Sequence, residues 1–275
     1  MKTLAEQLQH RFGDFAASPP QDVANNPTLC RMAGRGVVRR FKPEPVPAAV
    51  IDTLCAVALS APSKSDLQGR DILIVEDKAT RGRVNELLAD QDWIPAAPHF
   101  LVFLGNNRRQ RQVHEWRGHT FANDHLDAFF NAAVDAGIAL QGFVTAAEAV
   151  GIGCCPVSVI RNHAAEVSKL LGLPDHVFPV AGMGFGWPAV PSNISARLPL
   201  GVTVHRDRFR DCTREDVAGY DKRRNGIFPY RQQRNVARFG TSPDYGWSEE
   251  KARHYAASER ADFGAFVRTK GFKLD

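Results

Sequence analysis

Cysteine is scarce in this sequence, and its spacing suits neither metal nor disulfide chemistry. The 275 residues include no CxxC pair and only five cysteines, Cys30, Cys55, Cys154, Cys155 and Cys212. Zinc sites draw their ligands from such pairs. Cys154 and Cys155 cannot easily bridge each other, because a disulfide needs Cα atoms further apart than a trans dipeptide allows. We therefore expect reduced thiols, no bound metal and a cytoplasmic protein.

Long apolar runs and leader features are also missing. The first residues, MKTLAEQLQHRFGDF, mix charged with apolar side chains and lack the apolar core of a secretory signal. No run approaches the roughly 20 apolar residues that span a bilayer. We therefore expect no membrane partner, and we find no internal repeat or low-complexity tract.

Motifs for hydrolysis and metal binding are absent as well. Ser63, Ser65 and Ser158 lie outside any GxSxG sequence. The histidines at 114, 119 and 125 are spaced by five and six residues, which does not bring them to one helix face. The net charge of +5 and pI near 9.1 favour anionic ligands such as phosphorylated cofactors, without amounting to a nucleic-acid signature.

What is present predicts an α+β fold, with a mixed sheet flanked by helices. Strands are predicted around Ile72, Val102 and Val157, over the glycine-rich segment from Phe178, and near Val202. Helices are predicted from Val46, over TRGRVNELLAD, over the alanine-rich residues 124–150, after a cap at Asn162, and over 247–270 with a cap at Ser248. Prolines in residues 187–199 exclude a crossover helix there. We expect an arm of residues 1–34 and one domain over 35–275, including a C-terminal extension.

A GxGxG string at 182–186 follows a predicted strand and invites a dinucleotide-binding interpretation. That motif requires a helix N-terminus after the glycines, but Trp187 and Pro188 follow at once. The glycines instead indicate close approach of another backbone or of a flat ligand.

Three separate segments carry groups suited to a flat, anionic cofactor. Residues 35–41, RGVVRRF, supply arginines, whose forked donors suit a phosphate. Residues 60–68, SAPSKSDLQ, form a turn rich in hydroxyl, carboxylate and amide groups. Residues 178–199 combine the glycine-rich strand with an extended loop that contains Arg197.

Together these segments resemble the FMN-dependent nitroreductase superfamily, and most of all its oxygen-insensitive NADPH nitroreductase and flavin reductase branch. The resemblance runs from about residue 35 to the C-terminus. It includes GWPA at 186–189, RLP at 197–199, IRN at 160–162, KLLGLP at 169–174 and the tail from Tyr245. It implies a nitroreductase-like fold with a C-terminal excursion embracing the partner subunit, and FMN held without covalent attachment at a homodimer interface.

The resemblance also implies an activity and a set of site residues. Hydride would pass from NAD(P)H, with NADPH favoured, through the flavin to nitroaromatics, quinones or flavins by ping-pong kinetics, and no side chain would perform covalent chemistry. The implied cofactor-binding residues are Arg35, Arg39, Ser63, Ser65, Gln68, Gln91, Val157, Ser158, Val159 and Arg197. Arg231 and Arg234 are implied to bind the 2′-phosphate of NADPH, against the alternative of a mobile basic loop.

The sequence departs from the superfamily pattern at four positions. Gly36 and Val37 replace an arginine-serine pair, Asp66 stands in place of an asparagine, and Ser195 stands in place of a lysine. An ionised carboxylate cannot donate to a flavin carbonyl. The alternatives are a specialised flavin oxidoreductase of the same fold with another acceptor, and a flavin-binding protein without turnover.

Overall fold

The computed structural model describes residues 2–275, which pack into two compact units. Unit 1 combines residues 2–36 with 193–259, and unit 2 combines residues 37–192 with 260–275. The N-terminal residues thus pack with a segment far along the chain. The division into an arm and a single domain stays a prediction.

Unit 2 is built on a four-stranded sheet, whose strands are β1 (Arg70–Ile74), β2 (His99–Asn106), β3 (Gly153–Val157) and β4 (Val177–Gly186). Their order is β1-β2-β4-β3, and every pairing within this sheet is antiparallel. The α+β class and the first four predicted strands are confirmed, and antiparallel pairing replaces the mixed sheet that we expected.

The helices, in chain order, are α1 (Leu4–Phe12), α2 (Gln21–Ala24), α3 (Pro27–Gly34), α4 (Ala48–Leu59), α5 (Lys78–Leu87), α6 (Arg108–Trp116), α7 (Leu126–Ala149), α8 (Ala164–Leu170), α9 (Leu200–Thr203), α10 (Arg214–Ile227), α11 (Val236–Phe239), α12 (Trp247–Tyr255) and α13 (Phe263–Thr269). Short 3₁₀ helices cover Lys64–Asp66 and Val159–His163.

Helices cover both faces of the sheet. Leu101 and Phe103 of β2 pack with α4 and α7, whereas Phe100 and Val102 pack on the other face with Val84 of α5 and its neighbours. Successive side chains of a strand point to opposite faces. The unbroken apolar run of β2 is therefore explained by burial on both sides.

The long helix α7 is part of this core. By length and composition alone its 24 residues would suffice to cross a membrane. Its side chains Ala139, Phe143 and Ala147, however, lie fully buried in the cluster between sheet and helices. We therefore describe α7 as a core helix, as the alanine-rich sequence predicted.

Glycines in β4 leave room for large side chains. A Cβ on Gly182 would lie 2.5 Å from the ring of Phe100, and one on Gly184 would lie 2.7 Å from the ring of Trp93. At these two positions the glycines admit aromatic side chains of the same unit, where the sequence had indicated a backbone or a ligand.

Three local predictions were wrong. The strand near Val202 is instead the short helix α9 followed by irregular chain. The tail helix over 247–270 is interrupted, giving α12 and α13, with Arg260 at φ 55 between them, and α12 begins after Gly246 instead of being capped by Ser248. The helix after Asn162 has no side-chain cap; the Asn162 side chain accepts a hydrogen bond from Arg260.

Candidate functional site

The serine-rich turn before β1 has a strained backbone that a buried carboxylate holds in place. Ser65, Asp66 and Gln68 have φ values of 47, 55 and 52, a region that residues other than glycine rarely adopt. Asp135 of α7 is 1% exposed, and its carboxylate accepts hydrogen bonds from the Ser63 hydroxyl at 2.7 Å and from two backbone amides. Strain of this kind persists where the surroundings over-determine the conformation.

A buried cation fixes the same turn from its other side. The Arg70 guanidinium is 5% exposed and donates to the carbonyl of Leu59, at 2.9 Å, and to those of Ala61 and Pro62. Leu59 is the last residue of α4 and the other two carbonyls follow it, so the cation lies at the C-terminus of this helix, where a positive charge is favourable. The turn that the sequence singled out therefore begins and ends on buried, charged anchors.

The three predicted site residues of this turn differ in role: Ser63 anchors the turn, whereas Ser65 and Gln68 are exposed. The Ser63 hydroxyl donates to Asp135 and accepts from the Gln68 amide at 2.7 Å, so it holds the turn itself. Ser65 and Gln68 are exposed, and the Gln68 side chain donates to Asp66. A cavity of about 340 Å³ borders the turn, lined by Ser65, Asn107, His114, Asn131 and Asp135 among others.

Arg39 and Gln91 belong to a second region of unit 2. The Val38 amide donates to Cys154 O at 3.2 Å and Phe41 bridges to Pro188, which leaves Arg39 exposed on an extended segment beside β3 and the end of β4. The Phe41 ring lies 6.3 Å from that of Trp93. The indole of Trp93 in turn donates to the Gln91 side chain at 3.3 Å.

The sheet places these two regions at opposite corners. β1 and β3 are its two edge strands. At the corner of the serine-rich turn, Arg70 of β1 pairs with Gly105 of β2, which pairs with Phe178 of β4. At the corner of Arg39, Gly153 of β3 lies beside Val38 and pairs with Gly186, eight residues further along β4 than Phe178. Three strand spacings and eight residues give a diagonal of roughly 30 Å. The backbones of the two regions are therefore far apart within one chain.

Val157, Ser158 and Val159 lie at the far end of β3 from Gly153. Val157 is buried and pairs with Gly182, while Ser158 is exposed and begins the 3₁₀ helix over Val159–His163. The predicted backbone contacts of this segment to a flavin stay a prediction.

Unit 1 holds Arg35 and Arg197. Arg197 is exposed, and its guanidinium donates to the Ser195 hydroxyl at 2.6 Å and to Ala196 O. Among residues 2–275, neither Arg197 nor Arg39 forms an ion pair with a carboxylate. An arginine without a carboxylate partner retains donors for a phosphate, and the serine that replaced the expected lysine orients it. These donors fit the phosphate of a mononucleotide.

The two arginines proposed for the nicotinamide nucleotide differ in their surroundings. Arg231 is exposed, whereas Arg234 donates from Nε to Glu250 at 2.9 Å. Burial alone would raise the pKa of Glu250, but hydrogen bonds from Tyr245 and Arg234 outweigh it and lower that pKa. Part of the Arg234 side chain is therefore committed to a buried carboxylate.

Sequence patterns did not reveal Asp135, Arg70 or Arg11 as supports of the predicted segments. Asp135 is an isolated carboxylate in an apolar helix. Because a buried charge needs polar partners, this pattern could have indicated that Asp135 binds another segment. Arg70 and Arg11 gave no local signal, because their acceptors are backbone carbonyls distant in sequence.

Comparison with known proteins identifies the family of this chain. A model of the nitroreductase family matches residues 32–187, and a model of the C-terminal domain of that family matches residues 195–275. A Bacillus subtilis protein named FMN reductase [NAD(P)H] is 29% identical over 86% of this chain and 94% of its own length. An oxygen-insensitive NADPH nitroreductase of Salmonella typhimurium is 32% identical over 72% of this chain and 80% of its own.

Solved structures give the same result. The structure of B. megaterium NfrA2 superposes with a TM-score of 0.82 at 29% identity, covering 91% of this chain and 99% of that one. The NADPH:FMN oxidoreductase from Vibrio harveyi, complexed with NAD+, superposes with a TM-score of 0.78 at 26% identity, covering 90% and 98%. The resemblance found in the sequence is confirmed: the chain belongs to the nitroreductase family.

Proposed function

We propose that this protein is an FMN-dependent oxidoreductase that takes reducing equivalents from NAD(P)H, with NADPH preferred, and passes them to small electron-poor acceptors. Family membership and relatives named as FMN reductases and NADPH nitroreductases support this activity. Nitroaromatics, quinones and free flavins are the acceptor classes that we propose.

Bound FMN supplies the hydride chemistry, and the chain supplies position and charge. Arg197, with Arg35, would bind the phosphate. Arg39 would lie at the ring, where a guanidinium stabilises negative charge on the pyrimidine edge, and Gln91, which accepts a hydrogen bond from Trp93, would face the flavin. Val157, Ser158 and Val159 would offer backbone groups, and Ser65 and Gln68 the polar groups of the anchored turn.

The observation that carries the proposed assembly is the placement of Arg39 and the serine-rich turn at opposite corners of one sheet. Because the two regions lie far apart within one chain, a second copy would supply one of them. The chain therefore acts as a homodimer that shares each flavin between subunits.

Exposed apolar side chains on helices of unit 2 support this assembly. Leu126, Phe130 and Val134 recur at every fourth position of α7 and are 47%, 59% and 42% exposed. Val57 of the neighbouring helix α4 is 53% exposed. Large exposed apolar side chains on two packed helices are typical of surfaces that bind another protein. A cytoplasmic location and a C-terminal segment that embraces the partner complete the proposal.

The visible absorption spectrum of the purified protein tests the cofactor. We expect flavin bands, or their appearance after FMN is added and excess removed, and we expect NADPH to bleach them under argon. A protein that stays colourless after incubation with FMN would contradict the function. Bands that NADPH and NADH fail to bleach would indicate a flavin-binding protein without turnover.

A further inference from the structure

The helix α1 lies outside the matched family region, which begins at residue 32, yet it is firmly built into unit 1. Thr3 and Glu6 form a capping box at its start, and Gly13 ends it with φ 81. A Cβ on Gly13 would lie 2.6 Å from the Arg223 side chain. Helix α1 is therefore a defined element whose end accommodates another side chain.

Arg11, near the end of α1, joins two segments that carry proposed phosphate-binding residues. It is 7% exposed. Its guanidinium donates to Ala33 O at 2.8 and 3.1 Å, to Arg35 O at 2.7 Å and to Ser195 O at 3.2 Å. The planar guanidinium carries several donors in a fixed arrangement, so this one side chain serves all three carbonyls.

The backbone of Arg197 is tied to the same place. Its amide donates to Arg11 O at 2.7 Å. Arg223 lies across Gly13 and donates to His10 O, Arg11 O and Arg197 O. The Arg197 backbone is therefore held through both its amide and its carbonyl.

Asp14 extends this connection beyond Arg197. Its two carboxylate oxygens accept hydrogen bonds from the amides of Leu200 and Gly201, each at 2.8 Å. Residues 10–14 thus lie alongside residues 195–201 and are hydrogen-bonded to them, although more than 180 positions separate the two segments in the sequence. The segment of residues 191–199, which contains Arg197, belongs to no helix or strand. Its position is fixed by hydrogen bonds to Arg11, in the last turn of α1, and by those that Asp14 accepts just beyond it.

We propose that Arg11 is a positioning residue, which fixes the backbone around Arg35 and Arg197 so that their side chains bind the phosphate of FMN. This inference rests on the proposed function. An arginine side chain loses rotamer entropy when it is immobilised on a phosphate. If the backbone is already fixed, only the side chain has to be ordered when the phosphate binds, and the entropy cost of binding is smaller.

The test compares FMN with riboflavin, which has the same ring and ribityl chain but no phosphate. The variants are Arg11→Met, which removes the donors, and Arg11→Lys, which keeps the charge but not the fork. Lys2→Met, which removes an exposed cation just before the same helix, is the control. Dissociation constants are measured by titrating each flavin against apoprotein, and circular dichroism verifies folding.

We expect Arg11→Met to weaken FMN binding roughly tenfold, which corresponds to about 1.4 kcal/mol, and to leave riboflavin binding within about twofold of wild type. Arg11→Lys should resemble Arg11→Met, and Lys2→Met should resemble wild type. Equal losses for both flavins, or unchanged FMN binding in Arg11→Met, would overturn the inference. If the wild-type protein binds no FMN, the proposed function itself fails and the inference falls with it.

Discussion

The carboxylate of Asp135 and the hydroxyl of Ser63 form a 2.7 Å hydrogen bond that links the core helix α7 to the serine-rich turn. The same carboxylate accepts hydrogen bonds from the backbone amides of Lys64 and Gly69, each at 3.0 Å. A turn with three positive φ values is thereby attached to a buried carboxylate that accepts three hydrogen bonds. The proposed flavin-contacting groups depend on a residue that need not contact the flavin.

Replacing Asp135 with asparagine should destabilise the protein and weaken FMN binding. The amide would present a donor where the carboxylate accepts, leaving buried partners unsatisfied. We expect a loss of about 3 kcal/mol in the free energy of unfolding, measured by urea denaturation, and a higher dissociation constant for FMN. Asp127→Asn, on an exposed position of the same helix, is the control. Equal stability of the two variants would contradict the anchoring role.

The proposed dimer makes Phe130 a sensitive position. A carboxylate at this 59% exposed site of α7 would be buried against a partner subunit, which is strongly unfavourable without a counter-ion. We expect Phe130→Asp to shift the sedimentation mass from two chains to one and to lower flavin content, because each site needs both subunits. Val113→Asp, an exposed change on α6, should remain dimeric. A wild-type protein that sediments as one 30.3 kDa chain would contradict the assembly.

Arg231 and Arg234 should contribute to NADPH selectivity to different extents. We expect Arg231→Ala to raise KM for NADPH much more than KM for NADH, because the 2′-phosphate loses a guanidinium. Arg234→Ala should act similarly but also lower stability, since it leaves Glu250 without its ion pair. Arg208→Ala, an exposed site in unit 1, serves as control. Equal effects on the two nucleotides would defeat the assignment.

Asp124 should make stability fall in acid. Hydrogen bonding from Arg111, opposed by burial and aided by Lys273, lowers the pKa of this carboxyl from 3.8 to about 2. A folded-state pKa below the unfolded value gives a contribution that is complete above pH 3.8 and is lost as pH falls towards 2. We expect the wild type to lose more stability over this window than Asp124→Asn does, measured by urea denaturation at each pH. The exposed Asp92→Asn should follow the wild type.

The glycine-rich strand should be intolerant of a methyl group at Gly182. A Cβ there would lie 2.5 Å from the Phe100 ring and 3.1 Å from Val157, both buried. We expect Gly182→Ala to lower the free energy of unfolding by about 1–3 kcal/mol through overpacking. Gly82→Ala, where a Cβ meets nothing within 4 Å in helix α5, should raise it by about 0.5–1 kcal/mol. Unfolding midpoints in urea that change in the same direction would contradict this explanation.

Local patterns predicted the elements whose burial repeats at short range. The apolar run of β2 and the alanine-rich helix α7 can be predicted because the residues that define them are neighbours in sequence. The segment near Val202 misled because its Val-Thr-Val composition favours a strand, whereas Asp14, far away in sequence, accepts the first amides of a short helix there. The tail helix misled because its amphipathic period continues past the point where Arg260 takes a positive φ.

By itself, the sequence determined the class of fold, the family and the three segments that carry six of the ten candidate cofactor-binding residues, because residue types and local motifs encode them. Tertiary structure alone decided how those segments are held. Arg11 reaches Ser195 across 184 positions and Ser63 reaches Asp135 across 72. It also decided that Arg39 and the serine-rich turn lie at opposite corners of one sheet, since strand order depends on which strands pair. Contacts between such distant residues leave no periodic signal in the chain, and they form only when packing brings their backbones together.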